Sequence, residues 1–507
     1  MPKIFEKVRM NRPKMSAFDL SHEKKLSLKM GGLYPVFHEE ILPGDQFSVN
    51  SEVLMRMAPM IAPIMHKVDV YMHYFYVPNR IIWNQWEEFI TGGKLGDQVI
   101  SVPTVSWGNV ACQKGLLPDY FGLPTYASRN TFDSLNALPF RAYVEIFNEY
   151  YRDQNLSDPI DYTSGSWSQD TAGTERWFNV LQRAWEKDYF TSALPFAQRG
   201  PEVLAPIAGS FSPQYDQPST VEDAAGNPQD GSLSSALDGK LTSFGGGGTQ
   251  MKLKNLTDPQ TVDGVEMDIR ELRRSARLQE FFEKAARAGS RYTEQLMAYF
   301  GVRSSDARLQ RPEYLGGGKQ PLVVSEVLNT SATATEAQGN MAGHGITVGG
   351  SNSFKRSFEE HGHVIGILSV LPRTSYQQGV HRYFTRDDRF DYYFPEFANI
   401  GEQEVLNHEL YQENNANLDN GTFGYQQRYA EYKYKNGTVH GDFRESLDFW
   451  HMGRIFSSAP ALNEDFVSSD PTDRIYAVQD GSDYLYCHLH HSVKARRPMP
   501  YFSDPKL

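Results

Sequence analysis

The run Val68-Asp-Val-Tyr-Met-His-Tyr-Phe-Tyr-Val77 has a two-residue period and constrains the fold more than any other stretch of the chain. Val68, Val70, Met72, Tyr74 and Tyr76 fall on one face of an extended segment, and Asp69, Tyr71, His73 and Phe75 on the other. The run stops at Pro78-Asn79. Similar strand-like runs occupy Phe47 to Met57, Leu322 to Leu328, His363 to Leu371 and Leu485 to Val493, each bounded by Gly, Pro or Asn. Between them lie helical patterns, Pro139 to Tyr151 and the longer Ile269 to Phe300, the latter broken near Gly289-Ser290. Neither helix alternates with strands in a βαβ rhythm. The pattern predicts a mainly antiparallel β domain enlarged by long, partly helical insertions rather than a parallel α/β sheet.

Size alone, 507 residues, is compatible with two to four domains or one elaborated one. Two cysteines, Cys112 and Cys487, exclude a disulfide scaffold and an all-cysteine metal site, and fit assembly in a reducing cytosol. With 28 Tyr and 30 Phe the chain is too aromatic to be disordered. Its start has charges every few residues and no apolar run of signal-peptide length, which predicts a soluble chain that is not secreted by the usual route.

The formal charge of −12 argues against a generic basic nucleic-acid binder, but it is unevenly placed. Residues 1–30 carry Lys3, Lys7, Arg9, Arg12, Lys14, Lys24, Lys25 and Lys29 against Glu6, Asp19 and Glu23, a net +5. Residues 494–507 carry Lys494, Arg496, Arg497 and Lys506 against Asp504, a net +3. Taking both ends from the total leaves −20 on residues 31–493. Two basic ends on an acidic body point to a polyanion on one side of the molecule only. Residues 209–250 are rich in Gly, Ser, Pro, Asp and Gln, so they read as an exposed inserted loop.

Catalytic chemistry is hard to find. Gly318-Lys319 lacks the Ser or Thr that a phosphate loop needs after Lys and reads as a turn. His361 and His363, with Glu359 and Glu360 beside them, invite a zinc reading that no His-Glu-x-x-His helix or cysteine pair supports, and no metal or cofactor is expected. His488, His490 and His491 fare no better, although Tyr486, His488, His490 and Ser492 share a face that could meet a neighbour or a nucleic acid. A glycosidase reading would take two of Asp387, Asp388, Asp391 and Glu396 as acid and base. Arg382, Arg386 and Arg389 are interleaved with them, and a neighbouring Arg lowers a carboxyl pKa, the wrong direction for a general acid.

Longer strings carry a family likeness. FDLSHEKKLSLKMGGLYP (18 to 35), HYFYVPNRIIWNQWEEFITGG (73 to 93), LPFRAYVEIFNEYYRDQN (138 to 155), SRYTEQLMAYFGVRSSDARLQRPEYLGG (290 to 317) and EEHGHVIGILSVLPRTSYQQG (359 to 379) resemble, in order, the major capsid proteins of microviruses, particularly the gokushovirus branch of single-stranded DNA phages. WEKDYFTSALPFAQRG (185 to 200), QGNMAGHG (338 to 345) and RRPMPYF (496 to 502) extend the likeness along nearly the whole chain.

The resemblance implies a single eight-stranded jelly-roll β-sandwich with large inter-strand insertions, assembled as a T=1 icosahedral shell around a circular single-stranded DNA genome. It implies a virion protein made in the bacterial host cytoplasm, not an enzyme, with itself as main partner. An internal scaffolding protein, a small basic DNA-binding protein, a minor pilot protein and a host surface receptor are the other partners it implies. The division expected is a basic arm over 1–30, a jelly-roll domain over 31–493 and a basic tail over 494–507, with an exposed variable loop about 205–260 and a helical insertion about 269–300. Candidate DNA contacts are Lys3, Lys7, Arg9, Arg12, Lys14, Lys24, Lys25, Lys494, Arg496 and Arg497. Eight net charges on phosphate would give a salt slope of about −6. Candidate subunit contacts are Tyr74, Tyr76, Trp83, Trp86, Arg389, Tyr392 and Tyr393, because obligate interfaces favour aromatics and Arg. The competing reading is a carbohydrate-binding or carbohydrate-active β-sandwich built on the Asp387 to Glu396 cluster.

Overall fold

The computed structural model describes residues 14–106, 113–125, 135–162, 178–201, 269–328 and 341–502, with a few short pieces between them at 167–168, 203, 221–222, 228–229, 233–235, 241–243 and 252–253. The chain divides into two compact units, one made of residues up to Arg199 together with Glu283 onward, the other of Gly200–Phe282.

Nine strands make one curled antiparallel sheet in the larger unit: β1 (Ser16–Asp19), β2 (His22–Leu28), β3 (Tyr34–Ile41), β4 (Gln46–Met57), β5 (Val68–Pro78), β6 (Glu313–Leu328), β7 (Met341–Ser357), β8 (Gly362–Pro372) and β9 (Leu485–Arg497). Their spatial order is β1-β9-β4-β7-β6-β5-β8-β3, with β2 also paired to β9. β6 turns the corner, since its residues 313–322 pair with β5 and 323–328 with β7. The result is the mainly β jelly-roll expected. Nine strands appear rather than eight because the edge strand beside β9 is broken in two. Asp19 accepts hydrogen bonds from the backbone N–H and the hydroxyl of Ser21, a local turn that competes with the ladder.

β5 keeps the alternation predicted for it. Val68, Val70, Met72, Tyr74 and Tyr76 join β3, β4, β8 and β9 in the main core, alongside Val53, Leu368, Leu489 and Val493. Phe75 and Val77 face the other way into a second core with Ile365 and Ile367 of β8. That core is closed by α1 (Leu138–Ile146), which carries Pro139 in its first turn and runs on as a π-helical turn to Tyr151. Asn136 Oδ1 accepts from the Leu138 N–H at its start, and the Tyr143 hydroxyl donates to the Leu33 carbonyl at the mouth of β3. This helix is thus a lid over a sheet face that would otherwise be apolar and open.

Several expectations change. Residues 16–28 and 485–497 are strands paired to one another in the sheet, so over these residues the basic ends are not free arms. Gly318-Lys319 lies inside β6 rather than in a turn, with the Lys319 ammonium 3.0 Å from Asp69 and 3.2 Å from Glu186. The glycines before it serve the strand. A bulge separates Tyr314 from Gly316, and Gly317 has φ 156°, where a Cβ would run into the Met72 carbonyl of β5. Gly317→Ala is expected to lower stability by about 1–3 kcal/mol, read as a fall in the urea midpoint of the isolated subunit.

The smaller unit holds paired short strands, Val221–Glu222 with Pro228–Gln229 and Lys252–Leu253, and Leu233–Ser235 with Leu241–Ser243, in place of a wholly structureless loop. α2 (Ile269–Ala288) ends at Gly289, as expected, and helical turns resume over Tyr292–Gln295 and Leu296–Phe300.

Candidate nucleic-acid interface

Strict alternation along β9 sorts its side chains. Leu485, Cys487, Leu489, His491, Val493 and Ala495 are buried, while Tyr486, His490, Lys494 and Arg496 are exposed and His488 and Ser492 half-buried on the opposite face. Antiparallel pairing sets Lys25 beside His488 and Asp19 beside Lys494, so the chain ends contribute to one open sheet face. At one end of that face Lys25 and His488 both reach Glu23, at 2.9 and 3.2 Å, and their hydrogen bonds hold its carboxyl down at about 2. At the other end Lys494 and Arg496 make no ion pair within 4 Å among the described residues, although the neighbouring Asp19 carboxylate feels the charge of Lys494. Tyr486 is 51% exposed on the same face, a ring on which a base could stack.

The remaining candidate cations do not all reach this surface. Lys14 is exposed, and Lys3, Lys7, Arg9 and Arg12 lie outside the described residues. Lys24 turns inward. Its ammonium donates to the Pro35 and Tyr120 carbonyls, and burial pulls its pKa down to about 8. Arg497 also turns back onto the body: it donates to the Glu40 carbonyl at 2.8 Å, approaches Asp45 at 3.5 Å and Glu39 at 3.7 Å, and lies over the Phe47 ring. Lys24 and Arg497 are structural cations, which takes both off the list of DNA contacts.

Histidine and acid clusters resolve without catalytic chemistry. His363 is buried 3.1 Å from His38, and His361 packs its edge against Trp86. His491 bonds Ser51 Oγ at 2.6 Å and the Val36 carbonyl at 3.1 Å. Among the described residues no three His, Cys, Asp or Glu side chains come together as metal ligands. Arg382 and Arg386 pair not with the Asp387 to Glu396 run but with the buried carboxylates of Glu409 and Glu431, at 3.1 and 2.9 Å. Asp387, Asp388 and Glu396 stay on the exposed surface, while Asp391 accepts from the backbone N–H groups of Asp387 and Asp388.

A sheet folded into a jelly roll, with cations on one open face, is the frame in which these residues sit. Residues 6–507 match the family described as capsid protein (F protein). The chain belongs to that family. Capsid protein VP1 of Chlamydia phage 1 is 36% identical over 100% of this chain and 98% of the relative. Capsid protein VP1 of Bdellovibrio phage phiMH2K is 35% identical over 91% and 90% of the two chains, and that of Spiroplasma virus 4 is 30% identical over 99% and 97%. This is a microvirus major capsid protein, a structural component of the virion that assembles with itself and is not an enzyme.

The aromatic candidates for contact between capsid subunits divide sharply. Tyr74, Tyr76 and Trp83 are 0%, 3% and 6% exposed in the single chain, so they build its own core and have nothing to offer a neighbour. Trp86 is half-buried and packs edge-on against Trp83 and at a tilt against Phe89. Arg389, Tyr392 and Tyr393 are exposed. Composition could not separate the two groups, since aromatics fill cores and interfaces alike. Sequence reasoning also missed Asp45, the buried acid that binds Arg497. Its one signal was a charged residue beside the turn Pro43-Gly44.

Proposed function

We propose that this major capsid protein builds a T=1 icosahedral shell around a circular single-stranded DNA genome and touches that DNA, without base specificity, through the open face of β9. Lys494 and Arg496 carry the reading, as exposed cations on that face with no ion pair within 4 Å among the described residues. Lys14 and Lys25, with Lys3, Lys7, Arg9 and Arg12 ahead of the sheet, add to the same contact. Because Lys24 and Arg497 are spent on protein acceptors, the salt slope for genome release falls from about −6 to about −4. Arg389, Tyr392 and Tyr393 face neighbouring subunits, and the Gly200–Phe282 unit faces the host receptor. The acidic excess of residues 31–493 supplies charge for a small basic DNA-binding protein, and an internal scaffolding protein and a minor pilot protein complete the set of partners.

Lys494→Ala with Arg496→Ala should raise the share of empty particles, and lower the salt concentration at which genome is lost, while leaving shell yield intact. Absorbance ratios of gradient-purified particles measure this. Filled and empty particles in wild-type proportion would sink the assignment.

A further inference from the structure

Between Arg382 and Phe397 the chain makes three single turns of 3-10 helix and leaves aromatic surface bare. Tyr383, Phe384, Phe390, Tyr392, Tyr393 and Phe394 are each 41–72% exposed. A protein that functioned alone would seldom leave so many adjacent rings in water. The ridge is also anionic. Arg382 and Arg386 are committed to Glu409 and Glu431, and Arg389 leans on the Phe390 ring, whereas Asp387, Asp388 and Glu396 have no ion-pair partner among the described residues.

A groove of opposite character runs across the larger unit, with a volume of about 1480 Å³. Its floor is aromatic, with Phe75, Tyr150 and Tyr314, and its rim carries Met297, Arg303 and Lys355. Two of its other arginines are neutralised locally, Arg311 by Asp306 and Glu149, and Arg356 by Glu313. Arg303 and Lys355 are exposed and have no ion-pair partner among the described residues. Next to the groove Tyr292, Phe300 and Val302 are 66%, 73% and 53% exposed.

The ridge is apolar and negative, the groove apolar and positive, and each presents what the other lacks. We propose that the ridge of one copy of this chain seats in the groove of the next, with Asp387 and Asp388 set against Arg303 and Lys355. Ridge and groove are different patches, so the contact is heterologous: it builds rings rather than two-fold pairs and closes around a three-fold or five-fold axis of the shell. The inference rests on the icosahedral reading above and adds to it which two surfaces meet. Charge complementarity selects the partner orientation, and the aromatic surface supplies the buried area.

Charge reversal and exchange in phage particles test the pairing. Arg303→Glu with Lys355→Glu, and separately Asp387→Lys with Asp388→Lys, should each cut the yield of sedimenting shells on the order of a hundredfold, because each sets like charges together. All four changes in one chain should restore the yield to within about tenfold of wild type, since the attraction returns with its sign exchanged. Circular dichroism of the unassembled chains checks that every variant is folded. Normal shells from either reversal, or no recovery in the fourfold variant, would overturn the proposal. Shells that form normally but empty of DNA in the Arg303/Lys355 variant would assign the groove to the genome instead, and also overturn it. Wild-type particles that proved not to be closed icosahedral shells would instead remove the underlying reading, and the ring with it.

Discussion

Arg497→Ala is expected to destabilise the folded subunit by about 3–5 kcal/mol, far more than a surface substitution, because it strands a buried acid. The Asp45 side chain has no exposed surface, and one oxygen accepts the Leu42 N–H at 2.9 Å while Arg497 lies 3.5 Å away. Burial pushes the Asp45 carboxyl above its ordinary range, and the Leu42 N–H and the guanidinium pull it back. Without the guanidinium the carboxylate keeps its desolvation cost and loses its compensation. Adding Asp45→Asn to the Arg497→Ala chain should recover part of the loss, since no charge then remains to be buried. Arg496→Ala, one residue away but solvent-facing, should change stability by less than about 0.5 kcal/mol. Urea midpoints of the three variants decide it, and equal midpoints for Arg496→Ala and Arg497→Ala would refute the structural role of Arg497.

Acid should loosen the subunit well before its ordinary carboxylates titrate. Burial lowers the pKa of His38 and His73 to about 4 and that of His363 and His491 to about 3, from an ordinary 6.5. Neighbouring charge adds to the effect, from Lys24 at His38 and Arg183 at His73. These imidazoles are neutral when folded, so their contribution is whole above pH 6.5. It is lost as pH falls from there toward the folded values, where only the unfolded chain takes up protons. Each histidine then costs about 1.4 kcal/mol per pH unit, at most about 5 for the four. Glu39, Glu145 and Glu409 act the other way, because burial raises their carboxyls and protonation relieves them. A net loss of about 2–3 kcal/mol per unit between pH 6.5 and 5 is the expected outcome. His363→Gln should flatten the slope by about 1.4 kcal/mol per unit, roughly half of the net value. A stability profile level across this window would disprove the account.

The elements legible in the sequence were those whose two faces differ, or whose apolar run is long. β4, β5, β8 and β9 announced themselves by period or by continuous Val, Ile and Leu. β3 did not, because Tyr34-Pro-Val-Phe-His-Glu-Glu-Ile41 turns from apolar to charged halfway and carries a proline. β7 was hidden by its glycines, as at Gly343 and Gly345, where a Cβ would collide with the backbone of Ala62 and the side chain of Met57. β2, His-Glu-Lys-Lys-Leu-Ser-Leu, resembles a solvated arm because it is an edge strand with one wet face. The same limit governs the candidate interface. That Lys24 and Arg497 are basic is plain in the sequence, but what they bind is not, since the acceptors Tyr120, Asp45 and Glu40 lie remote along the chain and near only in the fold.

The pairing of β9 between β4 and the β1–β2 edge bears on how the chain leaves the ribosome. β4 is complete at Met57, but the strand that satisfies its open edge begins at Leu485. At typical bacterial rates of translation that edge waits roughly 20–90 s for its partner. Such distant pairing is slow to form and leaves backbone groups exposed to other nascent chains, so chaperone protection during synthesis follows from the topology. A product terminated early would lack the strand that fills the gap.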